Sequence, residues 1–124
     1  MARCLIIDDS DAMREIAADL LDALGHDVTE AAGPEAAVTA LHGAAVPFEL
    51  VLLDWDLPTL GALDVLRAVG ELDVKPEIVL CATENDPRQF KLAAAAGARF
   101  HVLKPFDRAA LEAVLRDAEV ARAA

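Results

Sequence analysis

The stretch Leu50-Val51-Leu52-Leu53-Asp54-Trp55-Asp56-Leu57-Pro58 sets four consecutive apolar residues directly before a carboxylate. Four apolar residues are too few for a core helix. Their lack of alternation fits a strand buried on both faces, as in a parallel sheet covered by helices. Outward from this stretch the same grammar repeats. Short runs rich in β-branched residues or leucine occur at Arg3 to Ile7, Asp27 to Ala31, Leu50 to Leu53, Glu77 to Cys81 and Arg99 to Leu103. Longer stretches rich in alanine, leucine and charge alternate with them, the pattern of repeated βα units.

The intervening stretches carry helix signals. Met13, Ile16, Ala17, Leu20, Leu21 and Leu24 recur at three- and four-residue steps, which predicts a helix from Ala12 to Leu24 with Gly25 behind it. Pro34 suits the first position of a short second helix with Ala37, Val38 and Leu41 inward. A third is expected over Leu63 to Val69, packing through Leu63, Leu66 and Ala68 or Val69. A fourth starts near Pro87 behind the caps Asn85 and Asp86, and a fifth follows Asp107 with Leu111, Val114 and Leu115 inward. The expected architecture is one α/β domain over residues 1–124: a five-stranded parallel sheet with helices on both faces. Its ligand site belongs beyond the carboxyl ends of the strands.

Composition narrows the function. The net charge of −11, from 22 acidic against 11 basic residues, repels a phosphate backbone, so nucleic acid is not an expected partner. No apolar run approaches the roughly 20 residues that span a bilayer, and the first residues lack the architecture of a signal peptide. No membrane association and a cytoplasmic location are therefore expected. Cys4 and Cys81 sit within apolar strand runs, as small buried hydrophobes do. An intervening strand would hold them too far apart for a disulfide.

The chemistry lies at the strand ends. Asp8 and Asp9 follow the first strand, Asp54 the third, and Lys104 closes the fifth, so three carboxylates and an ammonium should share one rim. Singly, each has a plainer reading as a turn former, cap or solvated charge. Together, carboxylates about 4 Å apart repel by roughly 4 kcal/mol at an effective dielectric near 20. A cation must compensate them, and oxygen ligands alone select a hard one such as Mg²⁺. An ionised Asp beside such a cation can act as a nucleophile toward phosphorus, with Lys104 balancing charge on the transferred oxygens.

At the pair Asp8-Asp9, the segment Leu52 to Pro58 and Lys104-Pro105-Phe106, the sequence resembles the receiver domains of bacterial two-component response regulators. The resemblance covers essentially the whole chain. It implies a flavodoxin-like fold of strand order 2-1-3-4-5 and a cis Lys104-Pro105 bond. It also implies phosphorylation of Asp54 by a histidine kinase or histidine phosphotransferase. Mg²⁺ would be held by Asp9, Asp54 and the Asp56 main-chain carbonyl, with Asp8 assisting through water. The family is a phosphoryl acceptor rather than an enzyme in the usual sense. Its signal would leave by contact with a downstream protein, through a surface of the fourth helix, fifth strand and fifth helix that includes Arg88, Lys91, His101 and Phe106.

Three positions depart from that pattern. The family's hydroxyl at the end of strand four falls on Ala82, and the nearest hydroxyl is Thr83. Either Thr83 swings in through a changed loop, or phosphorylation shifts this chain's conformation less; the second is the expectation. His101 occupies the family's aromatic switch position, where its ring can be exposed or buried and its charge changes near neutral pH. After Pro58, Leu60-Gly61-Ala62 replaces the usual Met-Asp-Gly. Trp55 is expected to flank the acceptor, half exposed.

Two rivals remain. Asp54-Trp55-Asp56 also resembles the Asp-x-Asp motif of haloacid-dehalogenase-type phosphatases, whose second Asp is an acid/base. Pro58 stands where that motif expects Thr or Val, however, and the motif lies on the third strand rather than the first. The other rival is a degenerate receiver that binds a partner without being phosphorylated, which Ala82 keeps open.

Overall fold

A computed structural model describes residues 2–124. In chain order the elements are β1 (Arg3–Ile7), α1 (Asp11–Ala23), β2 (Asp27–Ala31), α2 (Pro34–Gly43), β3 (Leu50–Asp54), a 3₁₀ turn (Pro58–Leu60), α3 (Gly61–Gly70), β4 (Glu77–Ala82), α4 (Pro87–Ala95), β5 (Phe100–Leu103) and α5 (Arg108–Ala123). All four strand pairings are parallel and the order is β2-β1-β3-β4-β5. The chain thus winds one way to β2 and the other way to β5, which puts its topological switch point between β1 and β3. No helix among the described residues is long and apolar enough to cross a membrane.

Strand alternation builds two cores. Leu5, Ile7, Val51, Leu53, Ile78 and Leu80 pack with α2, α3 and α4 on one face. Cys4, Ile6, Leu50, Leu52, Val79 and Cys81 pack with Ala17 and Leu21 of α1 and Leu111, Leu115 and Ala118 of α5 on the other. β3 is buried at every residue, as its unbroken apolar run requires, whereas the edge strand β2 shows Asp27, Thr29 and Glu30 to solvent. Cys4 and Cys81 are free, buried thiols on opposite sides of β3, and burial pushes both up to about 12.

Most boundaries follow the expected signals, with informative shifts. β3 and β4 each run one residue further, to Asp54 and Ala82, and β5 begins at Phe100. α1 begins at Asp11 because the Ser10 hydroxyl accepts the Met13 N–H at 3.2 Å. Asp86 and Asp107 cap α4 and α5 as read from the sequence, with Pro34 at the start of α2. Two residues expected to pack inward do not: Ile16 is 49% and Leu63 43% exposed.

Packing explains where α3 starts. The helix begins at Gly61 rather than Leu63. A Cβ at Gly61 would lie 2.9 Å from Pro34 Cγ and 3.4 Å from Leu57 Cβ, so α3 and α2 meet there only through a residue without a side chain. The chain reaches this point through Thr59 (φ 54°) and Leu60 (φ 58°), both left-handed, a conformation costing roughly 1–2 kcal/mol per L-residue. Gly61 itself has an ordinary helical backbone (φ −59°, ψ −31°), so crowding alone demands glycine. Gly61→Ala should therefore destabilise the fold by about 1–2 kcal/mol in urea titration. Gly43→Ala, where nothing lies within 4 Å of the new methyl, should be neutral or mildly stabilising.

Candidate phosphoryl-acceptor site

Three backbone hydrogen bonds extend the parallel ladders past the strand ends and so align the rim. Asp8 N–H donates to Ala31 O at 3.2 Å, Trp55 N–H to Cys81 O at 2.9 Å and Lys104 N–H to Ala82 O at 2.7 Å. Residues that end strands far apart in sequence are thereby brought level. Lys104–Pro105 is cis, as the resemblance implied.

The Lys104 ammonium joins two of the three carboxylates. Its Nζ donates to Asp8 Oδ2 at 2.8 Å and to Asp54 Oδ1 at 3.0 Å, contacts that span 96 and 50 residues of chain. The side chains of Asp8 and Asp54 are only 7% and 3% exposed, and that of Lys104 only 12%. Asp9 is exposed, yet carboxylate oxygens of Asp8, Asp9 and Asp54 all lie within 4.8 Å of one another. The expected cluster therefore exists, and its donors are oxygens alone, the set that suits a hard cation.

The two oxygens of Asp54 are unequal. Oδ1 accepts from Lys104 Nζ and, at 2.9 Å, from the Asp56 N–H. Oδ2 has no hydrogen bond among the described residues, where Arg3 Nε is the only sealed side-chain N or O atom without a partner. Asp54 is thus fixed through one oxygen and reachable at the other. Lys104 has three N–H donors, of which two are engaged.

Asp8 is held from three sides. Oδ1 accepts the Ser10 N–H at 2.9 Å, Oδ2 accepts from Lys104, and its main-chain carbonyl accepts from Arg14 Nη1 at 2.7 Å. Arg14 is largely buried and also pairs with Asp11 and, at 3.5 Å, with Glu30. Sequence reading missed Arg14, which had no signal beyond a charge on α1. Ser10 could have been found, since a serine directly before a periodic apolar run is an N-cap signature.

The departures from the family pattern acquire positions. Ala82 is buried at the end of β4 and offers no hydroxyl. Thr83 is exposed and does not turn toward Asp54: its N–H and its Oγ1 both donate to Asp56 Oδ2, each at 3.1 Å. The Asp56 carboxylate is thereby drawn to the β4–α4 loop, and it is not one of the clustered carboxylates. His101 is exposed and stacks on Phe90, with ring centroids 3.9 Å apart and planes 13° apart. Trp55 is half-buried, as expected.

Electrostatics marks Asp54 as the frustrated member. Burial raises its pKa, and hydrogen bonds from Asp56 and Lys104 offset that only in part. Burial lowers that of Lys104, but hydrogen bonds to Asp8 and Asp54, with both their charges, leave it raised overall. Folding thus costs free energy when Asp54 is ionised. Its favourable contribution holds below the ordinary carboxylate value of 3.8 and is lost as pH rises through the raised value. Lys104 stabilises up to the ordinary lysine value of 10.5 and is lost above its raised one. Asp54→Asn should accordingly raise stability at neutral pH by on the order of 1 kcal/mol when divalent cations are chelated. In thermal melts that gain should shrink toward pH 4 and in excess Mg²⁺.

The family model for the response regulator receiver domain matches residues 4–116. The chain is 37% identical over 107 residues to the chemotaxis protein CheY of Pseudomonas aeruginosa, covering 84% of this chain and 85% of that one. It is 30% identical over 117 residues to the two-component response regulator ORR41 of Oryza sativa subsp. japonica, covering 93% and 92%. Among solved structures, the chemotaxis response regulator CheY4 of Vibrio cholerae superposes with a TM-score of 0.86 at 26% identity, covering 95% and 98%. With the five-stranded 2-1-3-4-5 sheet and the acidic rim, these matches make the chain a member of the response regulator receiver family.

Proposed function

We propose that this chain is a phosphoryl-accepting switch of a phosphorelay, with Asp54 as acceptor. The observation that carries this is the asymmetry of Asp54: Oδ1 is held by Lys104 and the Asp56 N–H, while Oδ2 is free to attack. Oδ2 forms the new O–P bond as the P–N bond of a donor phosphohistidine breaks. The departing imidazole of the histidine kinase or histidine phosphotransferase keeps the electron pair. Lys104 already spans Asp8 and Asp54, so its remaining N–H can meet an oxygen of the incoming group.

Three carboxylates against one ammonium leave two negative charges, which a divalent cation neutralises. Asp8, Asp9, Asp54 and the Asp56 main-chain carbonyl are the groups that would hold Mg²⁺. Bound there, it would supply charge stabilisation to the transferred oxygens. Asp56 suits a main-chain role because its carboxylate is occupied by Thr83. The same fact disfavours the phosphatase reading, which needs that carboxylate as a free acid/base.

With Ala82 at the end of β4, the phosphorylated state lacks the hydroxyl through which the family pulls this loop inward, and Thr83 is committed to Asp56. The output is therefore read as contact with a downstream protein, under a weaker phosphorylation-driven shift. His101, resting on Phe90, is the proposed switch residue on the β5 side.

Incubation with acetyl phosphate and Mg²⁺, followed by intact mass spectrometry, should show one alkali-labile phosphoryl group. Asp54→Asn should abolish it and Lys104→Ala should slow its gain by about 100-fold. Labelling of Asp54→Asn at the wild-type rate would reject the acceptor assignment. Turnover of simple phosphomonoesters would instead favour the phosphatase.

A further inference from the structure

Next to the acidic rim lies an apolar groove that no segment among the described residues covers. α3 and α4 wall a hollow of about 240 Å³, with Leu60, Leu63 and Leu66 on one side, Leu92 and Ala96 on the other, and Trp55 and Gln89 also in its lining. Leu60, Leu63 and Leu92 are 73%, 43% and 67% exposed. Single exposed leucines need no explanation, but three that converge on one groove do. The display of Leu60 is also enforced. Thr59 and Leu60 take left-handed backbones directly before the crowded Gly61, and a large apolar side chain is held outward in a conformation that leucine disfavours.

Trp55 and Gln89 also line a second hollow of about 280 Å³, whose charged residues are Asp56, Glu84 and Asp86. No ion pair among the described residues involves these three carboxylates. Asp56 and Asp86 accept only uncharged N–H and O–H donors, and Glu84 is exposed. The cations of α4, Arg88 and Lys91, line neither hollow. The surface is thus a leucine-walled trough that ends in uncompensated negative charge.

We propose that this trough docks an amphipathic helix of a partner protein. Leucine-like residues at three- and four-residue spacing would fill the groove between α3 and α4, and a Lys or Arg at one end would meet Asp56, Glu84 and Asp86. The surface is distinct from the α4–β5–α5 face considered above. Its use does not require phosphoryl transfer at Asp54, because the trough is open in the chain as it stands.

The probe is a synthetic amphipathic helix of leucine and lysine, titrated into the full chain and followed by the fluorescence of Trp55, the only tryptophan. Wild type and Asp54→Asn should bind alike. Leu92→Asn and Glu84→Lys should each weaken binding at least tenfold, while Asp117→Lys on α5, an equal change in net charge, should alter it less than about twofold. Leu60→Gly should raise the melting temperature, by relieving the left-handed backbone, and still weaken binding, a pairing that a purely structural residue would not give. Amide spectra keep the fold of each variant in view. Equal losses for Glu84→Lys and Asp117→Lys would overturn the proposal, as would equal affinity for a leucine–glutamate helix. So would a dimer abolished by Leu92→Asn, which would make a second copy the occupant.

Discussion

The Lys104 ammonium, hydrogen-bonded at once to Asp8 and Asp54, is the contact on which the site depends. It exists only because β1, β3 and β5 end level on one rim, and that levelling comes from the parallel ladders and the backbone bonds that run one residue beyond them. The arrangement is undercompensated. One ammonium faces three clustered carboxylates, two of them buried. Burial above all, with the Asp8 charge adding to it, disfavours the Asp54 anion. A site of this kind gains by taking up positive charge, and Asp54 has one oxygen fixed and the other free.

Around this rim the residues are held by different means. β3 is sealed between two apolar cores and positions Asp54 without freedom. The loops beyond it are built differently: Asp56 is tied to Thr83 by hydrogen bonds, and Thr59 and Leu60 hold left-handed conformations before Gly61. Asp54 is thus anchored by packing, while the neighbouring surface is shaped by polar contacts and backbone strain.

At Ala82 and Thr83 the chain departs from the family pattern while the carboxylate and ammonium group of the rim stays assembled. Removing the hydroxyl from β4 leaves the Asp8, Asp9, Asp54 and Lys104 group intact, since none of its hydrogen bonds passes through that side chain. What changes is the neighbouring loop. The hydroxyl one residue on binds Asp56, so the β3–α3 and β4–α4 loops are joined to each other directly.

The strands, the helices and the four rim residues are legible along the chain, because they rest on local signals: unbroken apolar runs, three- and four-residue periodicity, caps such as Asp86 and Asp107, and charged residues at strand ends. Which oxygen of Asp54 is free, the bracing of Asp8 by Arg14, the bond of Thr83 to Asp56 and the outward facing of Leu63 and Ile16 emerge from three-dimensional packing. Each of these turns on residues brought together by the fold from different elements. The start of α3 is the plainest case: Gly61 is required by Pro34, 27 positions earlier, and no reading of neighbours along the chain contains that contact.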